Sequence, residues 1–317
     1  PKGAVMRHRD LMFNVMTAIN AHQFNVRDVH LLVNPMFHCT ALYSSLPTAA
    51  YTRTPVVITA ATDAAPLMEL VRRERVTTFL SVPPLFQRIA ALPEAAGAAP
   101  DSLRLMAYAG SLMPVATIRA LRQRYPGVAL HNFFGLTETI SMTHVLPGDE
   151  ADARPDSIGR LLPFVEAQVV DPATRATLPP GQVGELLFAR EVVIPGYADQ
   201  PGKLEESLVV IGGREWFRTG DLASVDEEGY FFIKGRSKEM IIVGGENVYA
   251  AEVESVLLAH PGVAEAAVKG APATGVRAAL GEVVRAFVVA RDPALTEKAL
   301  RGWCFERLAS FKVPVEI

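Results

Sequence analysis

The residues from Gly235 to Val248 read GRSKEMIIVGGENV, and this stretch decides how the chain is interpreted. It combines two cations, Arg236 and Lys238, with an apolar run and a Gly-Gly pair. The apolar run predicts a buried strand, and the paired glycines predict a loop after it. The stretch therefore indicates a domain boundary at about residue 235.

The composition of the 317-residue chain argues against several classes of protein. The length allows a large core and a second domain. No apolar run approaches the ~18 to 20 residues that span a membrane, and a net charge of -3 gives no electrostatic reason to expect nucleic acid. Only Cys39 and Cys304 are present, so neither a disulfide scaffold nor a thiolate zinc site is expected. These features predict a reduced, cytoplasmic, globular α/β protein without a transmembrane segment.

The pattern of apolar segments divides the chain into three parts. Up to residue 154, apolar runs alternate with segments of helical period, which predicts a largely parallel sheet with helical crossovers. Residues 155–235 carry short apolar runs between turn residues and predict a small β-rich subdomain. Residues 236–317 alternate strands and helices. The predicted fold class is α/β: layered, largely parallel sheets with helices, a small β subdomain and a smaller α+β C-terminal domain.

Individual elements follow from the same patterns. In the first part we predict strands at 29–33, 77–81, 103–108 and 128–133, with helices at 66–75 and 114–125 and another opened by Pro83. Asp63 is the expected cap of the helix at 66–75. Further strands are predicted at 165–170, 183–189, 222–225, 230–234, 239–243, 263–268 and 282–289, and further helices at 250–259 and 296–309.

The heptapeptide FFGLTET, Phe133 to Thr139, directly follows a predicted strand, where open α/β sheets place ligands. Phe134 offers a flat face for a base, and Gly135 allows the backbone to approach it closely. The Thr137 hydroxyl suits a phosphate oxygen, and Glu138 is a hard oxygen ligand for Mg²⁺. Without further context, the same residues also describe a loop with a helix-capping threonine and a solvated glutamate.

Three motifs together resemble one enzyme family. FFGLTET, WFRTGDL (Trp216–Leu222) and the GRSKEMIIVGGENV stretch resemble, in order and spacing, the acyl-CoA synthetase branch of the adenylate-forming (AMP-binding) enzymes. The resemblance covers nearly all of the chain. It implies that Asp221 accepts hydrogen bonds from both ribose hydroxyls and that Arg236 reaches ribose and phosphate. It also implies that Lys238 is the hinge between two states.

The resemblance assigns further contacts to the nucleotide and the thiol. Residues 135–138 match the family's Gly-x-Thr-Glu loop, and Lys2 matches the tail of its phosphate-gripping loop. The loop that lines the pantetheine tunnel is matched by Gly244, Gly245 and Glu246. By the same resemblance, residues 1–235 are a partial AMP-binding N-terminal domain, and residues 236–317 are a partial C-terminal swinging domain.

The resemblance also implies an acyl pocket. His38 lies in the segment that matches the family's Pro-x-x-His landmark and would border this pocket. Ala109-Gly110-Ser111 match the family's Gly-Gly-Ala turn, which contacts the adenine and the acyl tail. A nucleophile pair of His38 and Cys39 is not expected, because neighbouring side chains on an extended strand point apart.

The activity implied by the resemblance is that of an ATP-dependent carboxylic acid–CoA ligase using ATP, Mg²⁺ and CoA. Residues 29–61 contain no Asp or Glu to hold a substrate ammonium, which favours a plain carboxylic acid over an amino acid. The alternatives are a fatty acyl-AMP ligase and a carrier-protein-loading adenylation domain. A noncatalytic nucleotide-binding remnant is the alternative from another class. Neither the particular acid nor the oligomeric state is indicated by the sequence.

The two ends of the sequence suggest a fragment truncated at both ends. Pro1 is not an initiator methionine, and the sequence stops at Ile317. Lys312 matches the family's earlier, noncatalytic lysine, and the late catalytic lysine would lie beyond it. We therefore expect this chain alone to make little or no acyl-CoA.

Overall fold

The computed structural model describes residues 2–93, 100–111, 113–140, 142–151 and 153–317. The α-helices are α1 (His8–His22), α2 (Leu46–Thr52), α3 (Ala64–Arg73), α4 (Pro83–Ala90), α5 (Val115–Arg124), α6 (Ala250–Leu258) and α7 (Glu297–Phe305). The strands are β1 (Gly3–Ala4), β2 (His30–Leu32), β3 (Val56–Ile58), β4 (Thr78–Ser81), β5 (Leu105–Tyr108), β6 (Ala129–Phe134), β7 (His144–Leu146), β8 (Arg160–Leu161), β9 (Ala167–Val170), β10 (Gly184–Ala189), β11 (Tyr197–Ala198), β12 (Leu208–Ile211), β13 (Arg214–Val225), β14 (Phe231–Arg236), β15 (Ile241–Val243), β16 (Glu246–Val248), β17 (Val263–Pro272) and β18 (Glu282–Ala290).

The chain forms two compact units. The first comprises the residues up to Gln182 with Leu186–Thr219 and Val225–Phe232. The second comprises Val183–Glu185, Gly220–Ser224 and Ile233–Ile317. Within the described residues, no helix combines the length and the apolar character needed to cross a bilayer.

A seven-stranded sheet in the order β3-β2-β4-β5-β6-β7-β8 organises the first unit. The pairs from β3 to β6 are parallel, and β7 and β8 add antiparallel strands at one edge. All residues of β4 and β5 are buried, because helices cover both faces of a parallel sheet. The prediction of a largely parallel sheet with helical crossovers is confirmed.

Helices α3 and α4 show why these segments are helical. The buried residues of α3, Leu67, Met68 and Val71, recur at helical spacing. Helix α4 begins at Pro83, where proline suits the first turn, and its Phe86 ring lies 5.0 Å from the ring of Phe79 in β4. The predicted cap of α3 is only partly right. Asp63 occupies the N-cap position, but its side chain makes no capping hydrogen bond.

Helix α1 was not predicted from the sequence, because its buried face is largely polar. Asp10, Asn14, Thr17 and His22 are buried on it, so an apolar repeat is not visible. Asp10 accepts hydrogen bonds from the backbone and side chain of Arg7 at the start of the helix. Asn14 donates to the Tyr43 carbonyl at 2.7 Å and accepts from the Met142 amide at 3.4 Å. These bonds satisfy polar groups that would otherwise be costly to bury.

A second, five-stranded sheet has the order β12-β13-β10-β9, with β14 beside β13. Strands β12 and β13 are antiparallel, with Leu208 opposite Phe217. The predicted strand at 222–225 proves to be the end of the longer β13. Gly220 and Asp221 therefore lie within a strand, not in a turn before one.

The remainder of the second unit contains two hairpins and two helices. Strands β15 and β16 pair antiparallel, as do β17 and β18. Helices α6 and α7 pack with them around a core that includes Ile241, Val253 and Leu300. The Trp303 indole N–H donates to the Val256 carbonyl at 2.8 Å, which joins the two helices.

Candidate functional site

The loop after β6 folds into a compact turn that separates two threonines. The Leu136 amide donates to the Thr139 hydroxyl oxygen at 2.9 Å, and the Ile140 amide donates to the Thr137 carbonyl at 3.2 Å. Thr139 is buried, whereas Thr137 is exposed. The structural threonine is thus Thr139, and the Thr137 hydroxyl is accessible to a ligand.

The end of this turn is conformationally strained. Ile140 is buried and has a φ of 59°, in the left-handed region that β-branched residues rarely adopt. Such strain is maintained only where the surroundings impose it, and it is typical of functional loops. The loop at residues 135–138 therefore ends at a strained, buried residue, and its ligand-binding role stays a prediction.

Glu138 is held by a segment that the sequence did not single out. Its carboxylate accepts a 2.5 Å hydrogen bond from the Tyr197 hydroxyl, and its backbone carbonyl accepts from the Ile194 amide at 2.8 Å. The Lys2 ammonium lies 4.7 Å from the centre of the Tyr197 ring. Burial, and then the hydrogen bond to Glu138, raise the pKa of Tyr197, so the hydroxyl remains protonated and donates. The structure therefore brings Lys2 and Glu138 together around Tyr197.

Short strands align these groups. Strands β1 and β11 pair antiparallel, with Ala4 opposite Tyr197. No motif identified Tyr197 beforehand, because Pro195-Gly196 before it indicates only a turn. Pro1, which precedes Lys2 in the segment that matches the phosphate-gripping loop, lies outside the described residues.

The turn after β5 lies at the same edge of the sheet as the loop after β6, because the two strands are parallel neighbours. Gly110 has a φ of 91°, which favours glycine, and both Gly110 and Ser111 are exposed. Ala109 is half-buried and donates its amide to the Ser81 carbonyl at 3.2 Å. The predicted adenine and acyl contacts at 109–111 thus neighbour the 134–138 loop in the fold.

Phe134, the last residue of β6, packs against a buried histidine. It is half-buried, and its ring meets the ring of His144 nearly edge-on at 5.7 Å. Burial lowers the pKa of His144 to about 3, so its imidazole is neutral. The setting is suitable for stacking a flat base, although the partly exposed Phe134 also serves as a packing residue.

The expectation about His38 and Cys39 rested on a wrong premise. The segment is helical, not extended: Cys39 has φ −56° and ψ −37° and precedes a π-helical stretch, Thr40–Ser45. The Cys39 Sγ lies 3.8 Å from Nδ1 of His38, so the two side chains do meet. The same Nδ1 accepts from the Thr40 amide at 3.3 Å, which makes His38 a local capping residue as well. His38 is exposed at this position.

Asp221 and Arg236, in the second unit, form an ion pair. The Arg236 Nε lies 2.7 Å from Oδ1 of Asp221, the carboxylate is 6% exposed, and the guanidinium side chain is 55% exposed. Asp221 lies within β13, and Arg236 is the last residue of the neighbouring β14. Strand pairing therefore explains why residues far apart in sequence meet here.

Lys238 and the Gly-Gly loop follow Arg236. Lys238 is exposed in a short 3₁₀ turn, Ser237–Glu239, which replaces the start of the strand predicted at 239–243. It lines a cleft of about 320 Å³ within the second unit, together with Arg236 and Tyr249. The cleft contains charges of both signs, because Glu239, Glu254, Lys269 and Glu282 line it too.

Gly244 and Gly245 form the tight turn of the β15–β16 hairpin. Their φ values of 61° and 91° match a two-residue turn that needs positive φ at both positions. The Gly244 amide donates to the Leu280 carbonyl at 2.8 Å. Glu246 follows and is exposed. The loop predicted to line a pantetheine tunnel is thus the tip of a hairpin.

The donor set around Glu138 fits Mg²⁺. Across the described ranges, no group of three or more His, Cys, Asp or Glu side chains could hold a metal ion by itself. Mg²⁺ is commonly bound through one or two carboxylates, with water and substrate phosphates completing its octahedron. A single carboxylate at Glu138 beside the exposed Thr137 hydroxyl is consistent with that arrangement.

The comparisons with known proteins point in one direction. The AMP-binding enzyme family matches residues 1–198, and the AMP-binding enzyme C-terminal domain matches residues 252–317. A feruloyl-CoA synthase from an Amycolatopsis species is 35% identical over 320 residues, with 100% of this chain and 62% of the relative covered. The chain therefore spans about three fifths of the length of this curated relative.

Solved structures agree with these matches. The o-succinylbenzoate CoA synthetase MenE from Bacillus subtilis, in complex with the acyl-adenylate intermediate OSB-AMP, has a TM-score of 0.88 at 28% identity, covering 100% of this chain and 63% of that one. ATP-bound MatB from Rhodopseudomonas palustris has a TM-score of 0.87 at 31% identity, with 100% and 61% covered. The chain belongs to the AMP-binding enzyme family, in its acyl-CoA synthetase branch.

Proposed function

We propose that the protein containing this chain is an ATP-dependent carboxylic acid–CoA ligase. In the first half-reaction, a substrate carboxylate oxygen bonds to the α-phosphorus of ATP, and the bond from that phosphorus to pyrophosphate breaks. In the second, the CoA thiol loses its proton and its sulfur bonds to the acyl carbon, while AMP leaves. The chemistry replaces a poor leaving group, hydroxide, with AMP.

The ion pair of Asp221 and Arg236 is the observation that carries this proposal. A carboxylate with two acceptor oxygens suits two ribose hydroxyls, and a guanidinium that stays charged suits a phosphate. The 2.7 Å contact keeps both groups at one point in the second unit. Family membership over residues 1–198 and 252–317 supports the same assignment.

The first unit would supply the remaining nucleotide contacts. The exposed Thr137 hydroxyl would donate to a phosphate oxygen, with Phe134 beneath the adenine and Lys2 near the phosphates. Glu138 would hold Mg²⁺, which when bound offsets negative charge on the transferring phosphoryl group. Gly110 and Ser111 would border the adenine, and His38 and Ala109 the acyl tail.

We also propose that a C-terminal domain swings between the two half-reactions. Residues 1–235 would form the AMP-binding domain and residues 236–317 the swinging domain, with Lys238 as the hinge. Gly244, Gly245 and Glu246 would line the path of the CoA thiol. A cytoplasmic location is proposed as well, and the two free cysteines, Cys39 and the buried Cys304, support a reducing compartment.

The test is a screen of the full-length gene product against short-chain, long-chain, aryl and dicarboxylic acids and against amino acids. ATP–pyrophosphate exchange and CoA consumption are measured separately for each acid. We expect at least one acid to support both. Exchange without CoA consumption would indicate an acyl-AMP ligase, exchange with amino acids alone would indicate a carrier-loading domain, and exchange with none of these substrates would contradict the proposal.

A further inference from the structure

Tyr197 contacts two residues of the proposed site at once. Its hydroxyl donates to Oε1 of Glu138 at 2.5 Å, and the face of its ring lies 4.7 Å from the Lys2 ammonium. All three residues belong to the first unit. Tyr197 is half-buried, so its ring is partly enclosed while its two polar neighbours stay near the surface.

We propose that Tyr197 is a positioning residue for the Glu138 carboxylate. The inference rests on the proposed function, in which Glu138 holds Mg²⁺ against the ATP phosphates. With Oε1 engaged by the Tyr197 hydroxyl, the carboxylate is fixed in one orientation. Its second oxygen, Oε2, is then the one directed to the cation.

A free glutamate would not hold that orientation well. Its side chain has several rotatable bonds, and ordering them on metal binding costs conformational entropy. Here the residue is anchored at both ends by one short segment, because the Ile194 amide also donates to the Glu138 carbonyl at 2.8 Å. Hydrogen bonds from neighbouring residues to a metal-binding carboxylate orient it, and their loss typically reduces affinity for the metal.

Tyr197 also contacts Lys2, the residue proposed to lie near the phosphates. The ammonium lies over the aromatic face, a favourable cation–π geometry. The strand pair β1–β11 sets this geometry, since Gly3 lies opposite Ala198 and Ala4 opposite Tyr197. Tyr197 thus contacts Lys2 with the face of its ring and the metal-binding carboxylate of Glu138 with its hydroxyl.

The test compares Tyr197→Phe with Tyr230→Phe in the full-length gene product. Tyr197→Phe removes only the hydroxyl and keeps the ring under Lys2. Tyr230→Phe is the matched control, because the Tyr230 hydroxyl also donates to a glutamate, Glu150, at 2.7 Å in the same unit. Mn²⁺ serves as the probe, titrated by electron paramagnetic resonance in the presence of a non-hydrolysable ATP analogue, and ATP–pyrophosphate exchange is measured as a function of Mg²⁺.

Tyr197→Phe should weaken Mn²⁺ binding about tenfold, the loss expected for one hydrogen bond to a charged group. It should raise the Mg²⁺ concentration for half-maximal exchange by a similar factor. Tyr230→Phe should change neither by more than about twofold. Tyr197→Leu, which removes the ring as well, should bind Mn²⁺ no better than Tyr197→Phe.

Two results would overturn the inference without touching the proposed function. One is unchanged Mn²⁺ binding by Tyr197→Phe while the unsubstituted protein binds Mn²⁺ and catalyses exchange. The other is tighter binding, which would make Tyr197 a competitor of the metal. If the unsubstituted protein neither binds Mn²⁺ with the analogue nor catalyses exchange, the proposed function fails, and the role of Tyr197 fails with it.

Discussion

The buried carboxylate of Asp221 contacts the exposed guanidinium of Arg236, with 2.7 Å between Oδ1 and Nε. A buried carboxylate is costly unless it is paired, so Arg236 stabilises the ionised acid within the sheet. Most of the Arg236 side chain nevertheless remains open to solvent, since 55% of it is exposed. The pair can therefore hold its geometry and still present donors to a nucleotide.

If Asp221 binds the ribose, Asp221→Asn in the full-length gene product should impair the use of ATP selectively. We expect the KM for ATP to rise about tenfold to a hundredfold, because hydrogen bonds to a charged group are lost, and the KM for the acid to change little. Steady-state ATP–pyrophosphate exchange measures both constants.

Asp171→Asn is the matched control for this substitution. Asp171 is a turn aspartate whose Oδ1 accepts hydrogen bonds from the Ala173 and Thr174 amides, so its carboxylate has a purely local role. Asp171→Asn should leave the KM for ATP and the KM for the acid unchanged. If Asp221→Asn behaves like Asp171→Asn, a ribose-binding role for Asp221 is wrong.

The sequence was informative wherever a residue type, or the spacing of apolar residues, dictates the local structure. The strand β5 was predicted correctly, because burial on both faces of a parallel sheet leaves a continuous apolar run in the sequence. The helix α3 was predicted correctly from its apolar residues at helical spacing. The Gly-Gly pair at 244–245 likewise indicated a turn, since only glycine readily adopts positive φ at two successive positions.

The sequence was uninformative where tertiary contacts override local pattern. Helix α1 buries polar residues that find partners in distant segments, such as Asn14 with the Tyr43 carbonyl. The helical conformation at His38 and Cys39 has no local periodicity that would have revealed it. Tyr197 is the clearest case in the candidate site, because both of its partners are distant in sequence. Glu138 lies 59 residues before it, and Lys2 lies just before β1.

Gly159 is a glycine at which a side chain should be severely damaging. A Cβ at this position would lie 1.9 Å from the Val145 carbonyl oxygen, and its φ is 89°. Gly159→Ala should therefore force β7 and β8 apart and destabilise the protein by about 4 kcal/mol or more. Urea denaturation followed by circular dichroism measures the loss.

Gly181→Ala provides the comparison that isolates the steric contribution. Gly181 has a similar φ of 84°, but a Cβ there would meet nothing within 4 Å. Its substitution should cost only the backbone strain, about 1 to 2 kcal/mol. Equal losses for the two variants would mean that strain, and not the contact with Val145, explains the effect at Gly159.

Buried histidines should make the stability of the protein depend on pH. Burial lowers the pKa of His144 to about 3 and that of His131 to about 4, against about 6.5 in an unfolded chain. Below pH 6.5 the unfolded state therefore takes up protons that the folded state does not. Stability is fully present above pH 6.5 and falls as the pH decreases, by about 1.4 kcal/mol per pH unit for each such group.

His144→Phe should reduce this dependence. The ring of His144 lies among Phe134, Phe188 and Phe231, so a phenyl ring fits the same surroundings without a titratable group. We expect the variant to be within about 1 kcal/mol of the unsubstituted protein at pH 7.5, because the lost bond to Thr143 is offset by better burial. Urea midpoints between pH 7.5 and 4.5 should decrease less steeply. If the urea midpoint of His144→Phe depends on pH as steeply as that of the unsubstituted protein, His144 does not contribute to the pH dependence of stability.

Lys238→Pro tests the proposed hinge. Lys238 is the middle residue of an exposed 3₁₀ turn between β14 and β15, and proline there fixes φ near −65°. A hinge residue must adopt two backbone conformations, so the variant should retain the one used for adenylation and lose the other. In the full-length gene product, we expect ATP–pyrophosphate exchange within about threefold of the unsubstituted protein and thioester formation reduced at least about tenfold.

Glu206→Pro is the control, because Glu206 is the middle residue of another exposed 3₁₀ turn, Glu205–Ser207. This substitution should spare both half-reactions. Equal loss of exchange and thioester formation in Lys238→Pro would show that the substitution damages the site itself and that Lys238 is no hinge.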